Sequence, residues 1–125
     1  MPKLVVALEF EPQHGCIVVR DTESMGDVSE APIGSHWFFD RGSAILAVRP
    51  GIEGLVRCEV WLGTPHAALP TVIADEEFDI AGELEVEDPA KVVWARLAWV
   101  RGVQRLVVRV DEAAFPTRVQ VIVDP

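Results

Sequence analysis

Residues 77 to 87 read "EFDIAGELEVE", with Phe78, Ile80, Leu84 and Val86 at even positions and Asp79, Glu83, Glu85 and Glu87 at odd ones. Apolar–acidic alternation of period two is the mark of a strand that sends one face to a core and the other to water. The same period recurs along the chain, each segment closed by Gly, Pro or Asp. It predicts strands over 3–10, 15–20, 35–39, 44–49, 54–62, 77–87, 91–100, 103–110 and 117–123. No long segment of period 3.6 separates them, which excludes a parallel α/β fold. The pattern predicts an all-β protein, an antiparallel two-sheet β-sandwich of about 8–10 strands, with a flattened β-barrel as the alternative.

The punctuation carries further detail. Asp40-Arg41-Gly42 predicts a three-residue hairpin with a bulge, and alternation ahead of it puts Trp37 and Phe39 on one face, His36 and Phe38 on the other. "DTESMGDVSEAPIG" (21–34) is polar, acidic and aperiodic, and "GTPHAALPT" (63–71) holds two prolines. Both read as surface loops and as the places for irregular function. "DEAAFP" (111–116) has room for one helical turn capped by Asp111 and ended by Pro116. Pro50-Gly51 and Glu53-Gly54 read as a turn, and with no repeat or linker, residues 1–125 are expected to form a single domain.

A two-residue turn at Arg101-Gly102 sets Val100 opposite Val103, Ala98 opposite Arg105, Arg96 opposite Val107 and Trp94 opposite Arg109. Val93, Ala95, Leu97 and Trp99 then share the inner face with Leu106, Val108 and Val110. A meander through Asp88-Pro89 brings in the acidic strand, with Glu83 opposite Arg96 and Glu85 opposite Trp94. In 54–62, Val56, Cys58, Val60 and Leu62 point inward, while Trp61 points outward with Arg57 and Glu59. The candidate interaction surface is therefore Trp61, Glu83, Glu85, Glu87, Trp94, Arg96, Arg105 and Arg109, with tryptophan anchors among arginines as in interaction hot spots. The alternative is a solvated face held by cross-strand ion pairs and a Trp94–Arg109 cation–π contact.

Composition narrows the partner. At 125 residues and 50% hydrophobic the chain can bury one core. A net charge of −9 repels nucleic-acid phosphates and anionic membranes, so neither direct nucleic-acid binding nor membrane association is expected, while a basic protein partner suits it. No Lys or Arg occurs between Cys58 and Pro89, which makes that acidic stretch the candidate for meeting such a partner. The apolar run Leu4–Phe10 is too short for a signal h-region or a membrane span and reads as the first strand. Cys16 and Cys58 in a chain that needs no bridge predict a reduced, cytoplasmic location.

No chemistry-bearing constellation survives inspection. Ser35, His36 and Asp40 suggest a triad, but neighbours on a strand point to opposite faces, and no G-x-S-x-G elbow nominates a serine. His14, Cys16, Cys58 and His66 are soft metal ligands without finger or knuckle spacing. Asp75, Glu76, Glu77 and Asp79 lack the glycine and ligand order of a calcium loop, and the glycines form no phosphate loop. No catalytic, metal or cofactor-binding residue is nominated, and no cofactor is expected.

In order, "HWFFDRGSAILAV", "VRCEVWLGTP", "EEFDIAGELEVEDP" and "RGVQRLVVRV" resemble small bacterial β-sandwich proteins of the competence-J, DNA-entry nuclease inhibitor type, over about residues 4–110. The resemblance implies a sandwich that binds and inhibits a partner enzyme, and no residue role is carried over from it. The expected function is a non-enzymatic protein-binding module, an inhibitor or immunity-type partner of a basic protein. The alternatives are a small-ligand or carbohydrate-binding sandwich using Trp37, Trp61 or Trp94, an enzyme assembled from distant residues, and a homo-oligomer joined through an edge strand or the Trp94 face.

Overall fold

The computed structural model describes residues 1–11, 14–49, 53–88 and 93–124, with the side chains of Val93 and Trp94 outside the described part. Ten strands appear among them: β1 (Lys3–Phe10), β2 (Cys16–Asp21), β3 (Trp37–Asp40), β4 (Ser43–Ala47), β5 (Val56–Leu62), β6 (Thr71–Ile80), β7 (Leu84–Glu87), β8 (Val93–Leu97), β9 (Gly102–Val110) and β10 (Arg118–Asp124). They form two five-stranded sheets, β1-β5-β10-β9-β6 (sheet A) and β3-β4-β2-β7-β8 (sheet B). The all-β sandwich is as the alternation predicts. Pairing is antiparallel except between β5 and β10, which run parallel with Val60 beside Val121.

Period two works because both sheets turn one face to the same core. Val56, Cys58 and Val60 of β5, Val119, Val121 and Val123 of β10, and Leu106, Val108 and Val110 of β9 face Ile17, Val19, Leu46, Leu84 and Val86 of sheet B. Most are β-branched, and their restricted χ1 suits a pleated, covered surface. Trp37 and Phe39 belong to the packed face of β3, and Phe39 meets Phe78 across the sandwich at 4.8 Å between ring centroids, tilted by 52°. Such tilted pairing is favourable for aromatic quadrupoles.

Three sequence expectations are corrected. The segment 77–87 is two strands in different sheets: β6 begins at Thr71, and Ala81-Gly82-Glu83 turns the chain from sheet A into sheet B. Asp21 fixes that corner, its Oδ2 accepting from Ala81 N at 3.0 Å and its Oδ1 from Gly82 N at 2.9 Å, while Thr22 Oγ1 accepts from Glu83 N. A Cβ on Gly82 would stand 2.1 Å from Thr22 Oγ1, so only glycine fits there. The β8–β9 hairpin does not form either, since β8 pairs with β7 in sheet B and β9 with β6 and β10 in sheet A. Val100 N donates to Leu97 O in the turn between them. Alternation therefore breaks: Val100 is buried, and Trp99, expected inside, is 60% exposed.

Smaller departures follow from local chemistry. Asp40 pairs with Ser43, and Arg41 (φ 46°) and Gly42 (φ 85°) are both left-handed. That is a two-residue turn of the twisted hairpin type rather than a three-residue bulge. Residues 111–116 form bends instead of a helical turn. Asp111 still organises them, its Oδ1 accepting from the N–H groups of Glu112, Thr117 and Arg118. The turn expected at Pro50-Gly51 and the Pro89 part of the β7–β8 connection lie outside the described residues.

Candidate functional site

Each loop singled out by its sequence folds across the outer face of one sheet and buries side chains that alternation would leave in water. On sheet B the outward rows run Ile45–Val18–Glu87 and Ser43–Arg20–Glu85–Arg96 across paired strands. Over them lies the 22–34 segment, whose 3₁₀ turn Val28–Glu30 is capped by Asp27 accepting from Ser29 N at 2.9 Å. Asp27 N donates to Asp40 Oδ2, tying this loop to the β3–β4 hairpin. A cavity of about 260 Å³ remains between loop and sheet, lined by Val18, Arg20, Asp27, Val28, Ile45 and Glu87 among others.

The acidic stripe of β7 is thus not a water-facing one. Glu85 is 5% and Glu87 2% exposed. Arg96 Nη2 donates to Glu85 Oε1 at 2.5 Å and its Nε lies 3.5 Å from Glu83 Oε2; Arg20 Nη1 stands 3.6 Å from Glu87 Oε1. Arg20 is itself positioned by donating Nε to Asp21 O and Nη2 to Thr22 O. The β7–β8 meander forms as expected, with Glu85 rather than Glu83 beside Arg96.

On sheet A the outward row is Glu59–Gln120–Arg109. The 63–70 loop plants Pro65 and Leu69 against it. Gln120 Oε1 accepts from Leu69 N at 2.8 Å, its Nε2 donates to Ala67 O and to Glu59 Oε1, and Arg109 Nη1 donates to Leu69 O. Glu59 Oε1 also accepts from Trp61 Nε1 at 3.0 Å, and its Oε2 from Arg57 Nε at 2.9 Å. Burial opposes ionisation of Glu59, but these hydrogen bonds and the Arg57 charge outweigh it and hold the carboxyl below its ordinary range. A cavity of about 370 Å³ opens beside the network, lined by Trp61, Glu59, His66, Arg118 and Gln120 with Pro2 and Pro65.

The single face expected for the candidate residues is therefore two faces on opposite sides of the molecule. Trp61, Arg105 and Arg109 belong to sheet A, Glu83, Glu85, Glu87 and Arg96 to sheet B and its corner; β8 carries the Trp94 backbone, and its side chain lies outside the described residues. Arg105 is engaged by Asp75, donating Nε and Nη2 at 2.8 and 2.7 Å. Asp75, which lies ahead of the strand predicted from residue 77, joins Glu77 and Asp79 as the exposed outward positions of β6, an edge strand. Trp99, which alternation hides, stands exposed before β9, whose Val103, 58% exposed, pairs with Asp79.

His36 and Cys16 flank Ala47 in one outward row of sheet B, with Ser35 in the same shallow cavity, whereas Cys58 lies in the core under sheet A. Both thiols are free. Burial pushes the Cys58 thiol up to about 12, with the neighbouring Glu59 charge adding to it. Among the described residues no three His, Cys, Asp or Glu side chains converge as metal ligands.

The architecture defines a class, the two-sheet β-sandwiches. A solved structure of this class to which the chain is similar is the crystal structure of ComJ, inhibitor of the DNA degrading activity of NucA, from Bacillus subtilis. The TM-score is 0.69 at 11% sequence identity, over 99% of this chain and 98% of that one. The likeness read from the ordered motifs thus holds for the fold and extends beyond residues 4–110 to nearly the whole chain. No family model matches the chain, and no curated protein matches it.

Proposed function

We propose that the chain is a non-enzymatic protein-binding module that works as an inhibitor-type partner of a basic protein. The observation that carries this reading is the end-to-end likeness of fold to a protein that inhibits a nuclease. The charge supplies the partner class: at net −9, with Glu77 and Asp79 exposed on an edge strand and Val103 exposed opposite Asp79, the surface suits a cationic partner. Contact then centres on Glu77, Asp79, Glu83 and Trp99 rather than on Glu85 and Glu87, which hold the fold through buried pairs. Two copies meeting along β6 would set like charges together, which favours a different partner over self-association. The free thiols suit a reducing cytoplasm.

The test uses the chain as bait in extract of its native host at low salt, with DNA degradation by that extract measured with and without added chain. Expected is retention of a basic protein whose affinity falls about tenfold or more when Glu77 and Asp79 are both changed to Lys. No retained basic protein, or one indifferent to that reversal, overturns the reading. The Trp61 cavity favours a second reading, a small polar or sugar-like ligand stacked on the indole, which saturable quenching of Trp fluorescence by oligosaccharides would support.

A further inference from the structure

Sheet A ends in a strand whose backbone is paired on one side only. The hydrogen-bond phase across the sheet is fixed from its other end. Arg57 N donates to Thr117 O and Gly63 N to Val123 O, so the odd residues of 117–123 bond β5. The even residues of β10 then bond the odd residues of β9, as Asp111 N to Arg118 O continues the pattern. Even residues of β9 are left for β6, where their partners are Ala74, Glu76, Phe78 and Ile80. The N–H and C=O groups of Asp75, Glu77 and Asp79 therefore point to the outer side of β6. Among the described residues no hydrogen bond reaches them.

The same three residues carry carboxylates on the outer face of the sheet, repeating about every 6.5–7 Å. Asp75 is held by Arg105, which also reaches Asp124, whereas Glu77 and Asp79 have no ion pair or hydrogen bond among the described residues. The other edges are less suited to pairing. β1 is broken by a register shift between Leu4 and Val6, β3 has 4 residues and β8 has 5, while β6 keeps register over 74–80.

We propose that β6 accepts a strand from the protein partner, an extended segment of alternating cationic and apolar residues laid antiparallel along 75–79. Lys or Arg stands opposite Glu77 and Asp79, and an apolar residue opposite Phe78 continues the core face. In strand addition the backbone row supplies affinity and alternate side chains supply specificity. A second copy of β6 centred on Glu77 would set Glu77 against Glu77 and Asp75 against Asp79, so the occupant is a different, basic chain. The proposal rests on the protein-binding reading for the identity of the donor chain, and on the edge alone for the strand geometry.

The probe is the peptide acetyl-KVKVKVK-amide, titrated into the labelled full chain with amide exchange as the readout. In the free chain the amides of Glu76 and Phe78 should be protected and those of Asp75, Glu77 and Asp79 should not. Saturating peptide, with a dissociation constant of roughly 0.1–1 mM, should slow the latter three at least about tenfold. Backbone N-methylation of the lysines removes the donors that face β6 and should weaken binding at least about fivefold, whereas N-methylation of the valines should not. The block peptide acetyl-KKKKVVV-amide has the same charge and should not protect the edge. No protection of the three amides, equal binding by the block peptide, or indifference to lysine N-methylation overturns strand addition. If the edge stays unprotected while a captured basic partner is weakened by the Glu77/Asp79 reversal, strand addition fails and the inhibitor reading stands. Edge protection by the peptide with no basic protein retained from extract overturns the inhibitor reading and leaves β6 a strand acceptor.

Discussion

Replacing Asp21 by Ala tests whether the corner between the sheets is held as described. The carboxylate is 4% exposed and accepts three backbone N–H groups, from Glu23 at 3.2 Å, Ala81 at 3.0 Å and Gly82 at 2.9 Å. A hydrogen bond to a charged group contributes about 1.5–3 kcal/mol net where water cannot replace it, and about 0.5–1 kcal/mol where it can. Of the three donors only Gly82 N is fully buried, so its loss leaves an orphan, while Ala81 N and Glu23 N can be rehydrated. The sum is about 2.5–5 kcal/mol, a large part of the roughly 5–15 kcal/mol that holds a domain. Urea unfolding followed by Trp fluorescence should show the midpoint falling with an unchanged m-value, and thermal melting should drop by about 10–15 °C. Asp21→Asn, which keeps one acceptor oxygen for Gly82 N, should lose about half as much. A loss below about 1 kcal/mol for Asp21→Ala would refute the assignment, because the corner would then be stable without its anchor.

Two further predictions concern buried groups on sheet A. The Glu59 carboxyl sits below its ordinary 4.5 in the folded chain, so its stabilisation is complete above that value and is lost as pH falls through the folded one. Glu59→Gln should therefore be less stable at pH 7 and lose less on acidification from pH 5 to 3, and parallel curves for the two proteins would count against the network. With its thiol pushed up to about 12, Cys58 should resist labelling by a disulfide reagent at pH 8 until denaturant is added, and rapid native labelling at Cys58 would displace it from the core.

The course of β6 and β7 shows why sheets were less legible than strands. Phe78, Ile80, Leu84 and Val86 keep even parity through Ala81-Gly82-Glu83 because a chain that bends from one sheet into the other still shows the same side to the shared core. Alternation carries no trace of such a corner; its signal is long-range, in an aspartate sixty residues away in sequence. At Trp99 the reverse happens: the turn that joins Val100 N to Leu97 O shifts the inward register by one, and the periodic reading buries the wrong residue. Glu59, Glu85 and Glu87 lie on outward parity, as read, and they and Gln120 are buried because loops and paired arginines cover them. The loops themselves were recognisable from their prolines and lost periodicity, but their landing places depend on contacts such as Leu69 N to Gln120 Oε1 that no local pattern encodes.

The distribution of ion pairs sharpens the partner argument. Arg20, Arg41, Arg57, Arg96 and Arg105 are all committed to carboxylates of the same molecule. Two of the five arginine and tryptophan positions of the candidate surface, Arg96 and Arg105, are therefore neutralised where they stand. With 20 acidic against 11 basic residues, internal pairing cannot balance the charge, and the surplus stays on positions such as Glu77 and Asp79. A long edge strand bearing outward carboxylates resists pairing with its own kind and attracts a cationic surface over about a Debye length, about 8 Å at physiological salt. Binding governed by that surplus should show its salt dependence mainly in the association rate, so raising the salt concentration should slow association with a basic partner far more than it speeds dissociation, and a salt effect confined to dissociation would refute the argument.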